Sequence, residues 1–137
     1  AQLDRLDSLL TRRQQVADAY RTALAPLSND LRIPTRGSGE KRSWFVYVIR
    51  LRDHFGPEAR DALMERLQSH GIGCAPYFPP IHLQPHHRDR LGHSPGDFPV
   101  CERVSARTLA LPFSPDLATG DRRRVIDVLK SELPSDH

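Results

Sequence analysis

Apolar residues recur every three or four positions through the first 27 residues of the chain, with polar residues such as Arg12 and Asp18 between them. This spacing is typical of an amphipathic helix. It predicts one long helix over residues 3–27 that ends near Pro26. Since a helix of roughly seven turns is longer than a small domain needs, we expect it to dock on a surface outside the domain.

The clearest strand signal lies at residues 43–51, which are rich in aromatic and β-branched side chains and apolar on both faces near the middle. This pattern predicts the central strand of a sheet. Pro34 closes a shorter run that suits a sheet edge, where a missing backbone donor is tolerated. This run predicts a short strand at residues 31–34, and two more short strands are predicted at residues 72–75 and 108–112.

Helical patterns alternate with these strands. Residues 57–70 predict a helix that starts with a proline in its first turn and is stopped by Gly71. Thr119 is predicted to cap a last helix. Shorter helical segments are predicted at residues 84–90 and 98–106. The order of the elements predicts an α+β fold, in which a small and largely antiparallel sheet is covered by helices.

A proline-rich stretch at residues 74–85 interrupts this alternation, with four prolines in twelve residues. Because proline fixes φ and lacks a backbone donor, helix and central strand are both excluded there. We predict a stiff extended loop that presents Tyr77, Phe78, His82 and Gln84 outward. Loops of this kind often carry function, and the alternative is a plain connection with a satisfied histidine.

Length and composition limit the possible classes of protein. With 137 residues and 15.5 kDa, and with no internal repeat or linker, residues 1–137 are predicted to form a single domain. A hydrophobic fraction of 38% and the absence of a long apolar run indicate a soluble protein without a membrane segment. The opening residues show no initiating Met and no signal-peptide pattern, and the chain is expected to begin within a longer protein. Cys74 and Cys101 lack redox or zinc spacing, which favours the cytoplasm.

The net charge of +3 invites a nucleic-acid partner, but the pattern of charges speaks against one. Seventeen acidic residues are interleaved with the 20 basic ones, and no aromatic residues accompany the arginine run at residues 122–124. We therefore expect a solvated basic face and no nucleic acid.

Four histidines, at positions 82, 86, 87 and 93, are the most prominent candidates for chemistry, with Asp97 and Cys101 nearby. Zinc could be bound by such a set. Pro85 makes a continuous helix across the first two histidines unfavourable, and a His-Glu-x-x-His arrangement is absent, so exposed loop histidines are the preferred interpretation. A nucleophile elbow and a phosphate-binding glycine loop are also absent. We therefore do not expect a complete catalytic site in this chain.

Six motifs then point to a known family. They are RQQVADAY at 13–20, SWFVYVI at 43–49, GIG at 71–73, YFPPIHLQP at 77–85, GDFPV at 96–100 and RTLALPF at 107–113. In this order they resemble the C-terminal domain of the DegT/DnrJ/EryC1/StrS aminotransferases, which use pyridoxal phosphate to aminate keto groups on nucleotide-linked sugars. The resemblance spans nearly all of residues 1–133, and the strings at 77–85 and 107–113 are its specific parts.

The resemblance implies the small domain of a type I aminotransferase, with residues 1–27 as a helix that links it to a large N-terminal domain. That large domain, which is absent here, would hold pyridoxal phosphate and its Schiff-base lysine. Neither Lys41 nor Lys130 matches this lysine. We therefore expect the chain alone to bind no cofactor and to be inactive.

In the family, the loop that matches residues 77–82 faces the active-site cleft. His82 and, second, Tyr77 are therefore expected to position the nucleotide-sugar by hydrogen bonds to sugar hydroxyls or a phosphate, with no catalytic or metal-binding residue in the chain. Phe45 stands where some relatives have a histidine. The resemblance also implies a cytoplasmic homodimer and glutamate as amino donor. The alternative is a stand-alone, non-catalytic module for sugar-nucleotide binding or regulation, which should bind nucleotide-sugar by itself.

Overall fold

The computed structural model describes residues 3–35, 39 and 42–133. Within these residues the chain forms five α-helices and four β-strands, with short 3-10 turns at Leu3–Arg5, Ala25–Leu27 and Ile81–Leu83. The helices are α1 (Leu6–Leu24), α2 (Ala59–Ser69), α3 (Pro85–Leu91), α4 (Pro99–Ser105) and α5 (Thr119–Glu132). The strands are β1 (Leu31–Arg32), β2 (Tyr47–Leu51), β3 (Ala75–Pro76) and β4 (Thr108–Leu111).

The four strands form one antiparallel sheet in the order β1-β2-β4-β3. Tyr47 lies opposite Leu111 and Ile49 opposite Leu109 in the central pair. Alternate residues of β2 are buried, so one face of the sheet packs on the core. The buried helical side chains of that core come from α1, α2 and α5. The predicted α+β fold, with helices over a small antiparallel sheet, is confirmed.

Aromatic side chains join α1 to the sheet. The rings of Tyr20 and Tyr47 are 4.9 Å apart, and both residues are fully buried. The Tyr20 hydroxyl donates a hydrogen bond of 2.8 Å to the carbonyl of Pro112, and Trp44 Nε1 donates one of 3.0 Å to Gln14 Oε1. The first helix is therefore fixed to this domain over its second half, where its buried residues lie.

The central strand begins four residues later than predicted, at Tyr47 instead of residue 43. Tyr47 pairs with Leu111, so residue 46 would have to pair with Pro112, which has no backbone N–H to donate. The ladder therefore stops there. Trp44 leaves the strand and stacks on Tyr47 at 5.7 Å.

Two further predictions need correction. The strand predicted at residues 72–75 lies at Ala75–Pro76, because Gly71 ends α2 at φ 74° and Ile72 turns into the core. Thr119 does not cap α5: it is already the first helical residue, and Ala118 occupies the cap position without a side-chain hydrogen bond. None of the helices described here combines the length and the hydropathy needed to cross a bilayer.

Candidate functional site

Two hydroxyl groups, one from the end of α4 and one from the start of β4, fix the path of the proline-rich loop. Ser105 Oγ donates to the carbonyl of Phe78 at 2.5 Å, and Thr108 Oγ1 lies 3.4 Å from the carbonyl of Tyr77. Phe78 has φ 52°, the one positive φ among the non-glycine residues that the structure describes. Its side chain is 64% exposed. The loop thus keeps a left-handed residue whose ring points to solvent.

His82 does not point outward as predicted, since only 9% of it is exposed. After two prolines the chain makes a short 3-10 turn at Ile81–Leu83, which directs the imidazole toward α4. There the ring packs edge-on against Phe98 at 4.7 Å, and its Nε2 lies 2.9 Å from Oε1 of Glu102. Apolar cover and a polar partner together make this burial favourable.

Glu102 connects the histidine to the start of α4. Besides facing His82, its carboxylate accepts hydrogen bonds from the backbone N–H of Gly96, at 2.9 and 3.0 Å, and of Phe98, at 3.2 Å. The Gly96 N–H and then His82 lower the pKa of Glu102 below its ordinary value. Hydrogen bonds to the charged form have this effect. The carboxylate is therefore ionised at neutral pH.

A second imidazole and carboxylate pair lies beside the first. Nδ1 of His93 is 3.2 Å from Oδ2 of Asp97, which also accepts a hydrogen bond of 3.0 Å from the Ser94 N–H. The Ser94 N–H and then His93 lower the pKa of Asp97. The His93 ring stands 6.0 Å from His82 and 5.4 Å from Phe98. Three rings thus form one cluster.

This cluster lines a cavity of about 350 Å³ between α3 and α4, which we call the imidazole pocket. Its lining residues are Ile81, His82, His87, Leu91, His93, Phe98 and Cys101. Most of this wall is apolar, and several of its side chains are exposed at the surface. An apolar wall with a few polar groups is the usual chemistry of a site for a small ligand.

Tyr77 is not brought into this pocket. Its ring packs against Phe78 at 4.7 Å, and the side chain is partly buried. A second cavity of about 410 Å³ lies under the loop between Phe78 and Arg60, and Tyr77 does not line that one either. The structure therefore does not bring the two residues predicted to bind substrate into one cavity.

The described residues contain one lysine, the residue type that binds pyridoxal phosphate covalently. Lys130, the lysine among them, is exposed on α5 and lines neither cavity, and Lys41 lies outside the described residues. Within the part of the chain that the structure describes, no three His, Cys, Asp or Glu side chains are close enough together to hold a metal ion.

Glu102, which contacts both His82 and the start of α4, was not predicted from the sequence as a site residue. One signal for it exists: Pro99 opens α4, and an acidic residue in the first turn of a helix commonly binds its free N–H groups. What the signal could not show is the contact with His82, which is 20 residues away in the chain.

The chain is similar to proteins of one known family. The model of the DegT/DnrJ/EryC1/StrS aminotransferase family matches residues 1–130. TlmJ from Streptoalloteichus hindustanus is 30% identical over 96% of this chain (TM-score 0.82), and DesV from S. venezuelae 30% over 98% (TM-score 0.81). NtdA from Bacillus subtilis is 26% identical over 93% (TM-score 0.78). The chain spans 34%, 34% and 29% of these three chains, about a third of each.

Proposed function

The chain belongs to the DegT/DnrJ/EryC1/StrS aminotransferase family, and we propose that it forms the small C-terminal domain of a pyridoxal-phosphate-dependent enzyme that aminates nucleotide-linked keto sugars. The observation that carries the proposal is the family match over residues 1–130 by a chain that spans only a third of its solved relatives. The other two thirds of such an enzyme would provide the cofactor site.

Two relatives support the chemistry. DesV was solved in complex with a ketimine intermediate, and NtdA with the bound cofactor PMP. Because Lys130 lines neither cavity, we place pyridoxal phosphate and its lysine in the rest of the polypeptide. This chain is then inactive alone, and the complete enzyme works as a homodimer with glutamate as amino donor.

The role proposed for this chain is to line the substrate side of the cleft. His82 lines a cavity beside the aromatic ring of Phe98, where an imidazole can hydrogen-bond a sugar hydroxyl. Tyr77, which comes earlier in the same loop, would make a second contact through its phenol, to a hydroxyl or a phosphate of the same substrate. The rigid path of the loop between them would set the distance between the two contacts.

The first experiment is the mass of the native protein in its source cell, measured by immunoblot with antibodies against this domain. The proposal predicts a band at roughly three times 15.5 kDa, since the chain covers 34% of its solved relatives. A band at 15.5 kDa would contradict it and favour a stand-alone module for sugar-nucleotide binding.

The second experiment is an activity assay on the full-length protein loaded with pyridoxal phosphate. Nucleotide-linked keto sugars are supplied with glutamate, and the product is identified by mass spectrometry as the corresponding amino sugar. A cofactor-loaded protein that aminates none of a panel of 3-keto and 4-keto sugar nucleotides would refute the proposed activity.

A further inference from the structure

The two histidines of the imidazole pocket are held through different ring nitrogens. His82 faces Glu102 with Nε2 at 2.9 Å, whereas His93 faces Asp97 with Nδ1 at 3.2 Å. Within the described residues, Nδ1 of His82 and Nε2 of His93 have no hydrogen-bond partner. Each imidazole therefore has one nitrogen that faces a carboxylate and one without a hydrogen-bond partner among the described residues.

The carboxylates decide which nitrogen carries the proton. An ionised carboxylate can only accept hydrogen bonds, so the nitrogen that faces it must be an N–H. Both acids are kept ionised, because backbone N–H groups, from Gly96 to Glu102 and from Ser94 to Asp97, lower the pKa of each. In a neutral imidazole the other nitrogen then has a lone pair and accepts.

We propose that Glu102 and Asp97 are positioning residues that fix opposite tautomers in His82 and His93, so that the imidazole pocket offers two hydrogen-bond acceptors to the hydroxyl groups of a hexose. The acceptors are Nδ1 of His82 and Nε2 of His93. Hydroxyl groups donate to such atoms, whereas an ionised phosphate has no proton to donate and would leave both unpaired.

The shape of the pocket agrees with this ligand. Its volume of about 350 Å³ lies within the usual range for small-molecule sites. Phe98, which contacts both imidazoles, offers an apolar face for the C–H side of a sugar ring. That the hexose is part of a nucleotide-linked sugar rests on the proposed function.

Glu102 also has a purely structural role, because it accepts the N–H groups of Gly96 and Phe98 at the start of α4. That role alone requires no particular tautomer of His82. A measurement of the tautomer therefore separates positioning of the histidine from stabilisation of the helix start.

The test uses the full-length protein labelled with ¹⁵N-histidine, with His82 and His93 assigned from the signals lost in His82→Gln and His93→Gln. The expected spectrum shows an unprotonated Nδ1 on His82 and an unprotonated Nε2 on His93. In Glu102→Gln the amide can donate to Nε2, so the proton is expected to move to Nδ1 of His82 while His93 is unchanged. In Asp97→Asn the proton of His93 is expected to move to Nε2 while His82 is unchanged. Glu65→Gln, an exposed change on α2, is the control.

Ligand contact is read by titration with UDP-glucose, with UDP as the comparison. UDP-glucose should shift the ¹⁵N resonances of the unprotonated nitrogens of both histidines. Glu102→Gln should weaken the binding of UDP-glucose about tenfold, the effect of losing one hydrogen bond. UDP should leave these nitrogens unchanged.

A protonated Nδ1 on His82 in the unmodified protein would overturn the inference, and so would an unchanged tautomer in Glu102→Gln or equal shifts with UDP. Should Glu102→Gln fail to fold, Asp97→Asn decides the same question at His93. None of these readouts needs turnover, so a failure of the amination assay would refute the proposed function without affecting this result.

Discussion

The two halves of this domain are stabilised in different ways. Around the sheet, α1, α2 and α5 bury fully apolar faces, with Leu24, Leu63 and Leu129 all at 0% exposure. Around the imidazole pocket, α3 and α4 bury no side chain at all among their described residues. That region is fixed instead by hydrogen bonds between polar side chains and the backbone: Glu102 accepts from backbone N–H groups, and Ser105 donates to a carbonyl.

The difference agrees with the position of the imidazole pocket, which lies outside the apolar core. A close-packed apolar core has no room for a ligand and tolerates little change. The region around the imidazole pocket contains a cavity with exposed apolar side chains in its wall. Each of the two imidazoles there has one nitrogen without a hydrogen-bond partner among the described residues. Substitutions in the two regions should therefore differ in their effect on stability.

Removing a core side chain should cost far more stability than removing a pocket side chain of the same size. Leu63→Ala on α2 is expected to lower the free energy of unfolding by about 2–5 kcal/mol, because Leu63 is 0% exposed. Leu91→Ala, at 60% exposure on the pocket wall, should change it by less than about 0.5 kcal/mol. Urea unfolding measures both, and equal losses would refute the contrast.

Removing the hydroxyl of each buried tyrosine should change the free energy of unfolding, with opposite signs for Tyr20 and Tyr47. Tyr20→Phe removes the hydrogen bond to Pro112 and should cost about 1 kcal/mol. The Tyr47 hydroxyl is buried without a hydrogen-bond partner among the described residues, and burial raises its pKa to about 12, so it is neutral at pH 7. Tyr47→Phe should therefore stabilise by about 1 kcal/mol. A loss of stability in Tyr47→Phe would show that the hydroxyl has a partner.

The left-handed backbone of Phe78 gives a third test, in the loop. Glycine relieves a positive φ that alanine does not, so Phe78→Gly should be more stable than Phe78→Ala by about 1 kcal/mol. At an ordinary exposed position the order is reversed, because glycine has more freedom in the unfolded chain. Thermal unfolding of the two variants decides the sign.

The smallest expected effect is the dependence of stability on pH that Glu102 contributes. The pKa of Glu102 is lowered in the folded state, so its contribution to stability is complete above the unfolded value of about 4.3 and is lost as the pH falls through the folded value. Glu102→Gln should therefore be less stable than the unmodified chain at pH 7, with a gap that narrows toward pH 3. A gap that is constant with pH would mean that Glu102 is not ionised in the native state.

The same contrast decides how much could be predicted from sequence. The helical spacing of Tyr20 and Leu24 and the apolar run around Ile49 predicted the core, because burial leaves a periodic pattern. The site is set by contacts between distant residues, such as His82 with Glu102, and these leave no pattern. The inward turn of His82 was missed for this reason, whereas the loop itself was found from its prolines.

The proposed contact between His82 and the sugar substrate can be tested by the kinetics of the full-length enzyme. His82→Ala should raise KM for the nucleotide-linked keto sugar about tenfold or more while the cofactor absorbance stays unchanged. His86→Ala, on the exposed side of α3 and outside the pocket, is the matched control and should keep the original KM. An unchanged KM in His82→Ala, with the cofactor still bound, would contradict the account.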